Sequence, residues 1–206
     1  LSDDIIHQID NIGLSAFYSS RDDYTKYRRN AASIDEYINR AQKSVIMVSI
    51  TLTTGISFDD ICHVLEDKIK KIKEFNVTIS LLNPFEDSLY STIAPLFGQK
   101  AETLQENTKE AFVYLRDFRS KLSYDEQKRF IIKAHNTLPF GSAIILDGDF
   151  EHGTVQIETK PYKVGIRKSF AFEIRNNNGS FYNTLKSSYY NLIKDGLSQE
   201  DLFSKL

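Results

Sequence analysis

Residues 44–83 read SVIMVSITLTTGISFDDICHVLEDKIKKIKEFNVTISLLN, and this stretch decides the fold class. Its first ten residues, Ser44–Thr53, form a β-branched apolar run of the kind a buried strand needs. Gly55 turns the chain. From Phe58 to Glu74, Ile61, Leu65, Ile69 and Ile72 recur at helical spacing, with Lys68, Lys70, Lys71 and Lys73 between them. Asn76–Asn83 is a second buried strand. Strand, helix and strand joined by short connections call for a parallel pair with a right-handed crossover.

Upstream, Ser33 to Gln42 reads as a helix with Ile34, Tyr37, Ile38 and Ala41 on one face. Leu14–Ser20 alternates like a short strand, and Leu1–Ile12 sets Ile5, Ile6, Ile9 and Ile12 at helical spacing behind Ser2 and before Gly13. Downstream, Pro84–Lys100 reads as a loop or short helix, Ala101–Ser120 as a strong helix, and Ser123 opens a short helical piece. Phe130–Ala134, Ser142–Asp147, Thr154–Thr159 and Ser169–Ile174 read as strands, His135–Gly141 as a loop, and Phe181–Asp195 as a Tyr-rich helix. The sum is an α/β domain with a mixed sheet of about six to seven strands flanked by helices.

The chain has 206 residues, 41% of them hydrophobic, with a formal net charge of −2. That suits one domain with a core that needs no staples. A single cysteine, Cys62, removes disulfide frameworks and cysteine-based zinc clusters. No apolar run approaches the ~20 residues of a membrane span, and no secretory signal is visible. The expectation is a cytoplasmic protein with no membrane partner. The four histidines, His7, His63, His135 and His152, have no metal-ligand spacing, so neither a metal nor a cofactor is expected. The helix lysines alternate with Glu66, Asp67 and Glu74, a solvated face and not a nucleic-acid stripe. The chain opens on Leu1. Residues 1–13 are accordingly expected to be an N-terminal helix that either packs on the body of the domain or links to an upstream one, with the second favoured, and residues 14–206 the α/β domain itself.

From Ser33 onward the pattern resembles one half of the phospholipase D superfamily. The likeness is carried by IDEYINRAQKSVIMVSITLTT (Ile34–Thr54), VTISLLN (Val77–Asn83), SAIILD (Ser142–Asp147), Gly153-Thr154, SFAFE (Ser169–Glu173) and the helix from Ser180 to Gly196. That family cleaves or transfers phosphodiesters with the motif H-x-K-x(4)-D. The histidine attacks phosphorus and carries the phosphoryl group, the lysine stabilises charge on the equatorial oxygens, and the aspartate supports the network. With Asp147 as the motif aspartate, Ser142 falls at the lysine and Phe140 at the histidine. Starting instead from His135 puts Thr137 at the lysine and Ser142 at the aspartate. Neither register supplies the set, and the chain resembles a degenerate member lacking the catalytic His and Lys.

The resemblance implies that Glu173, Thr154, Gln156, Ser142 and Asp147 converge on one concave end of the sheet as a polar pocket. Asp147 reads equally well as a cap on the turn that follows it. His135 is the one histidine near the motif, either a loop residue bonded to backbone, a ligand contact or a recruited nucleophile; His152 reads as exposed. The segment KPYKVGIRK carries Lys160, Lys163, Arg167 and Lys168 without an acid. It is either a solvated loop or an anion-facing one in which Tyr162 could stack on a base. Arg21 is a second anion contact, with Asp22 and Asp23 as its alternative partners.

Three functions follow. The first is a non-catalytic regulatory or sensor domain binding a phosphate-containing ligand such as a nucleotide or nucleic acid. The second is an active dimeric phosphodiesterase or nuclease using His135. The third is a dimerisation or interaction scaffold whose pocket is filled by Phe140. The first is preferred, and the resemblance implies a homodimer paired across the site face.

Overall fold

The structure, a computed structural model, describes residues 2–20, 34–52, 58–159 and 168–206. Among these residues, eight helices and seven strands follow in chain order: α1 (Asp3–Ile12), β1 (Leu14–Tyr18), α2 (Ile34–Asn39), β2 (Ser44–Ser49), α3 (Phe58–Lys71) and β3 (Asn76–Leu82). Then come α4 (Asp87–Phe97), α5 (Ala101–Ser120), α6 (Tyr124–Gln127), β4 (Phe130–His135), β5 (Ser142–Leu146), β6 (Thr154–Thr159), β7 (Phe170–Arg175), α7 (Ser180–Lys194) and α8 (Gln199–Lys205). The strands form one mixed sheet in the order β1-β7-β6-β5-β2-β3-β4.

The expected β2–α3–β3 unit is present, with β2 and β3 paired in parallel from Ser44↔Asn76 to Ser49↔Leu81. β4 adds to β3 in parallel, and β5, β6, β7 and β1 continue antiparallel on the other side of β2. Side chains alternate between the faces, so each face has its own core. Ile61, Leu65 and Ile69 of α3 and Phe112 and Leu115 of α5 pack with Val45, Met47, Val77, Ile79, Ile132, Ile144 and Leu146 on the first face. Tyr182 and Tyr189 of α7 pack with Val48, Ala143, Ile145, Val155, Ile157 and Ile174 on the second.

Of the loop or short helix read over Pro84–Lys100 the structure takes the helix, and it adds one element at the C-terminus. Pro84–Lys100 is mostly helix, because α4 buries Tyr90, Ile93 and Ala94 and holds Pro95 in its last turn, where Gly98 at φ 63° ends it. The C-terminal segment adds α8, which begins at the Ser198 cap. This segment closes the β4 edge: Leu197 N–H donates to Ala134 O at 2.7 Å, and Ile132 N–H to Gln199 Oε1 at 2.9 Å. No helix among the described residues is long and apolar enough to cross a membrane.

Candidate functional site

The residues singled out by the family register separate into two groups along β5. Ser142 opens the strand and Asp147 follows its last residue, so five residues at ~3.3 Å each put them about 16 Å apart. The five-residue pocket therefore does not assemble as one cluster.

At the Ser142 end, the register Ser142↔Glu158, Gln156↔Glu173 and Ala16↔Glu173 sets polar side chains on the first face of adjacent strands. Ser49 Oγ donates to Thr51 O at 2.7 Å, which uses its only proton. Ser142 Oγ, 3.2 Å away, is then the donor to Ser49. One row further along, Gln156 Nε2 donates to Glu173 Oε1 at 2.8 Å, and Tyr18 Oη donates to the same oxygen at 3.4 Å. Gln156 and Glu173 are buried, as are Ser49, Thr51 and Ser169, while Ser142 is half-buried. Lys168 is exposed two residues before β7, at this same end of the sheet. Lys160, Arg167 and Arg21 lie outside the described residues, as do Lys163 and Tyr162.

At the other end, Asp147 is 1% exposed and its carboxylate is fully engaged. Oδ1 accepts from the backbone N–H of Lys43 at 2.6 Å and of Ser44 at 2.8 Å; Oδ2 accepts from Gln42 N–H at 2.7 Å and lies 3.0 Å from His152 Nε2. Lys68 Nζ holds the same connection from the carbonyl side, donating to Ala41 O at 2.6 Å and to Asn39 O. The α2–β2 connection is thus clamped through both its amides and its carbonyls. Asp147 adopts φ 49°, a left-handed conformation that costs an L residue energy and that its four contacts hold in place. Thr154 sits at this end as well, its hydroxyl 2.9 Å from Tyr37 Oη.

His135 is not in a loop. It is the last residue of β4, 0% exposed, with Nδ1 3.0 Å from Ser80 Oγ and Nε2 without a partner among the described residues. Burial pushes its pKa down to about 3, so the ring is neutral. Phe140 is 71% exposed and fills no pocket. His152 is not merely exposed: it pairs with Asp147 and stacks on Phe150 at 5.9 Å between centroids. Its spacing across the turn DGDFEHG was the one sequence signal for that pairing.

No family model matches this sequence, and no curated protein does. Among solved structures it is similar to phosphatidylserine synthase of Haemophilus influenzae Rd KW20, a member of the phospholipase D superfamily. The TM-score is 0.54 at 11% identity, over 81% of this chain and 36% of that one. It is also similar to TrmBL2, an archaeal chromatin protein that binds DNA, with a TM-score of 0.48 at 9% identity, over 95% of this chain and 60% of that one. The chain therefore spans less than two thirds of either neighbour. The first likeness supports a phospholipase D-like fold at the level of the chain trace.

Proposed function

We propose that this domain is a non-catalytic phospholipase D-like regulatory module that takes a phosphate-bearing ligand at the Ser142 end of its sheet. The observation that carries the reading is the fate of the histidines. The chain has four, and all lie among the described residues. His7 and His63 are exposed on α1 and α3. His135 is sealed in the core, where no substrate phosphorus reaches it. His152 pairs with Asp147 at the far end of β5. None stands beside Ser142, Gln156 and Glu173, so the covalent step of the superfamily has no nucleophile there. The motif aspartate remains as a strut.

Phosphate recognition draws on the sequence around this end. Residues 160–168, which connect β6 to β7, carry Lys160, Lys163, Arg167 and Lys168 and no acid, and Arg21 follows β1 closely. Four cations in nine residues suit an anion, with hydroxyl and amide groups nearby to orient it. A nucleotide or a short single strand supplies the phosphate.

The test has two arms. The protein is expected to turn over no chromogenic phosphodiester above the rate of a His135→Gln variant; turnover lost in that variant refutes the non-catalytic reading. In a thermal melt, ATP or a ten-nucleotide DNA strand at about ten times Kd adds about 1.4 kcal/mol, a rise of roughly 3–5 °C. The rise is expected to vanish when Lys160, Arg167 and Lys168 are all changed to Ala. No shift with either probe refutes the ligand.

A further inference from the structure

We infer that the ligand at the Ser142 end of the sheet is a single-stranded nucleic acid whose bases stack on Phe17 and Phe170, on the face opposite the polar groups. The inference rests on the phosphate reading above and adds what the phosphates are attached to. Val155, Ile157 and Ile174 pack under α7 on the second face, with Phe172 partly buried beside them. Side chains alternate along β7, so Phe170 shares that face, and the register Phe17↔Phe172 puts Phe17 on it too. Phe17 and Phe170 stand outside the core that α7 closes and meet each other, with ring centroids 6.0 Å apart and planes at 32°. Phe17 is 60% exposed and Phe170 half-buried, so both rings offer a face to solvent.

The neighbours of these rings are cationic. Lys168 is exposed two residues before Phe170, and Thr159, which pairs with Phe170, is followed at once by Lys160. Residues 160–168 hold four cations and no acid. Two residues of chain span at most about 6.6 Å, so a phosphate held by Lys168 keeps its base within reach of the Phe170 ring. Phe140 adds a third ring at this end. It is 71% exposed two residues before β5, and the Tyr189 hydroxyl donates to the adjoining Gly141 O at 2.9 Å. From β1 to β5 is three strand spacings, about 14 Å. One base cannot cover all three rings, which favours a strand over a mononucleotide.

The chemistry of the exposed side chains selects bases over other occupants. Phe17 and Phe140 are the two most exposed phenylalanines among the described residues, and both stand where β6 ends and β7 begins. The exposed aliphatic side chains that a lipid surface would favour, Ile5, Ile6 and Ile12, lie at the opposite end of β1. Every base has a π-face, so rings beside phosphate-binding cations hold a strand without selecting its sequence. A duplex keeps its bases stacked on one another and leaves such rings unused. The formal net charge of −2 likewise suits a local contact and not a broad duplex-binding surface.

The chain contains no tryptophan, so Phe17→Trp installs a single fluorescent reporter among the rings. A ten-nucleotide thymidine strand is expected to quench its emission. An abasic strand of the same length and charge is expected to bind at least about fivefold more weakly. In fluorescence anisotropy, Phe17→Leu, which keeps apolar bulk without a π-face, is expected to weaken the base-bearing strand by at least about fivefold and to leave the abasic strand unchanged. If Phe17→Leu loses its cooperative melt, Phe140→Leu gives the same reading. Equal affinity for the two strands, an unquenched reporter at saturation, or a Phe17→Leu variant that binds as the wild type does overturns the stacking and leaves the phosphate reading standing. Binding of ATP without the strand, or capture by anionic phospholipid vesicles in its place, does the same. Binding of neither strand, ATP nor vesicles overturns both.

Discussion

Lowering the pH from about 7.5 to about 5 is expected to destabilise the fold by roughly 2 kcal/mol through His135 alone. The ring is buried, with Ser80 Oγ 3.0 Å from Nδ1 and no partner at Nε2 among the described residues. A proton added there would place an unpaired charge in the core. In the folded protein the pKa falls from 6.5 to about 3, with desolvation as the cause. The sign follows from proton counts. Between those two values the unfolded chain takes up a proton that the folded one refuses, so stability is fully present above pH 6.5 and drains away as the pH falls toward 3. At pH 5 the gap is about 1.5 units, and 1.36 kcal/mol per unit gives roughly 2 kcal/mol, against a total that for domains of this kind is about 5–15 kcal/mol. The assay is urea unfolding of the wild type and of His135→Gln at both pH values. Glutamine keeps a partner for Ser80 and cannot titrate. Carboxylates contribute equally to both chains and cancel in the difference. The stability advantage of the wild type over the variant is expected to shrink by roughly 2 kcal/mol at the lower pH. An unchanged difference refutes the buried, neutral assignment.

Asp147→Ala strips the acceptor from three backbone amides of the α2–β2 connection; a loss of about 3 kcal/mol or more is expected in the unfolding free energy from urea titration, against under about 1 kcal/mol for His152→Ala, which is half-exposed. Gly153→Ala would drive a Cβ to 2.5 Å from Tyr182 Oη and 2.6 Å from Asp147 O. Because the second is backbone, the variant is expected to melt well below the wild type by calorimetry, where Phe150→Ala does not. Gln199→Ala leaves Ile132 N–H without its acceptor at the β4 edge and is expected to cost about 1 kcal/mol, visible as faster hydrogen exchange at Ile132.

Much of the fold is legible because neighbouring residues carry it. Residues 44–83 switch from a strand period to a helix period and back, and Ala101–Ser120 has the same bounds in the sequence reading and in the structure. The site is less legible because its determinants are far apart in the chain. His135 reads as a loop residue from the Asn136-Thr137-Leu138-Pro139 that follows, yet pairing with Leu82 and the bond to Ser80, 55 residues away, extend β4 over it. Pro84–Lys100 reads as a loop or short helix because Pro84 and Pro95 punctuate it, and the helix wins because Tyr90 and Ile93 find a core with Ile50, Leu82 and Leu104 that local pattern does not reveal. The convergence of Ser142, Thr154, Gln156, Glu173 and Asp147 follows from family spacing, which counts residues along strands but not which end of a strand each one occupies.

Asp147 acts in this fold as a structural carboxylate. The carboxylate has structural work that owes nothing to any nucleophile. It accepts three amide protons from residues 42–44, 103 to 105 positions upstream, and so joins β5 to the entry of β2. Those two strands are antiparallel neighbours at the middle of the sheet, where β2 also begins the parallel half. Losing the carboxylate would take the acceptor from three partly buried amides at the seam between the two halves, whatever the domain binds. The requirement is therefore one of folding. It predicts that Asp147→Asn, which keeps acceptor capacity on one oxygen only, falls between the wild type and Asp147→Ala in stability. Ligand-induced thermal shifts at the Ser142 end are expected to be unchanged in the Asn variant. An Asn variant as stable as the wild type would show that the amide clamp carries no weight.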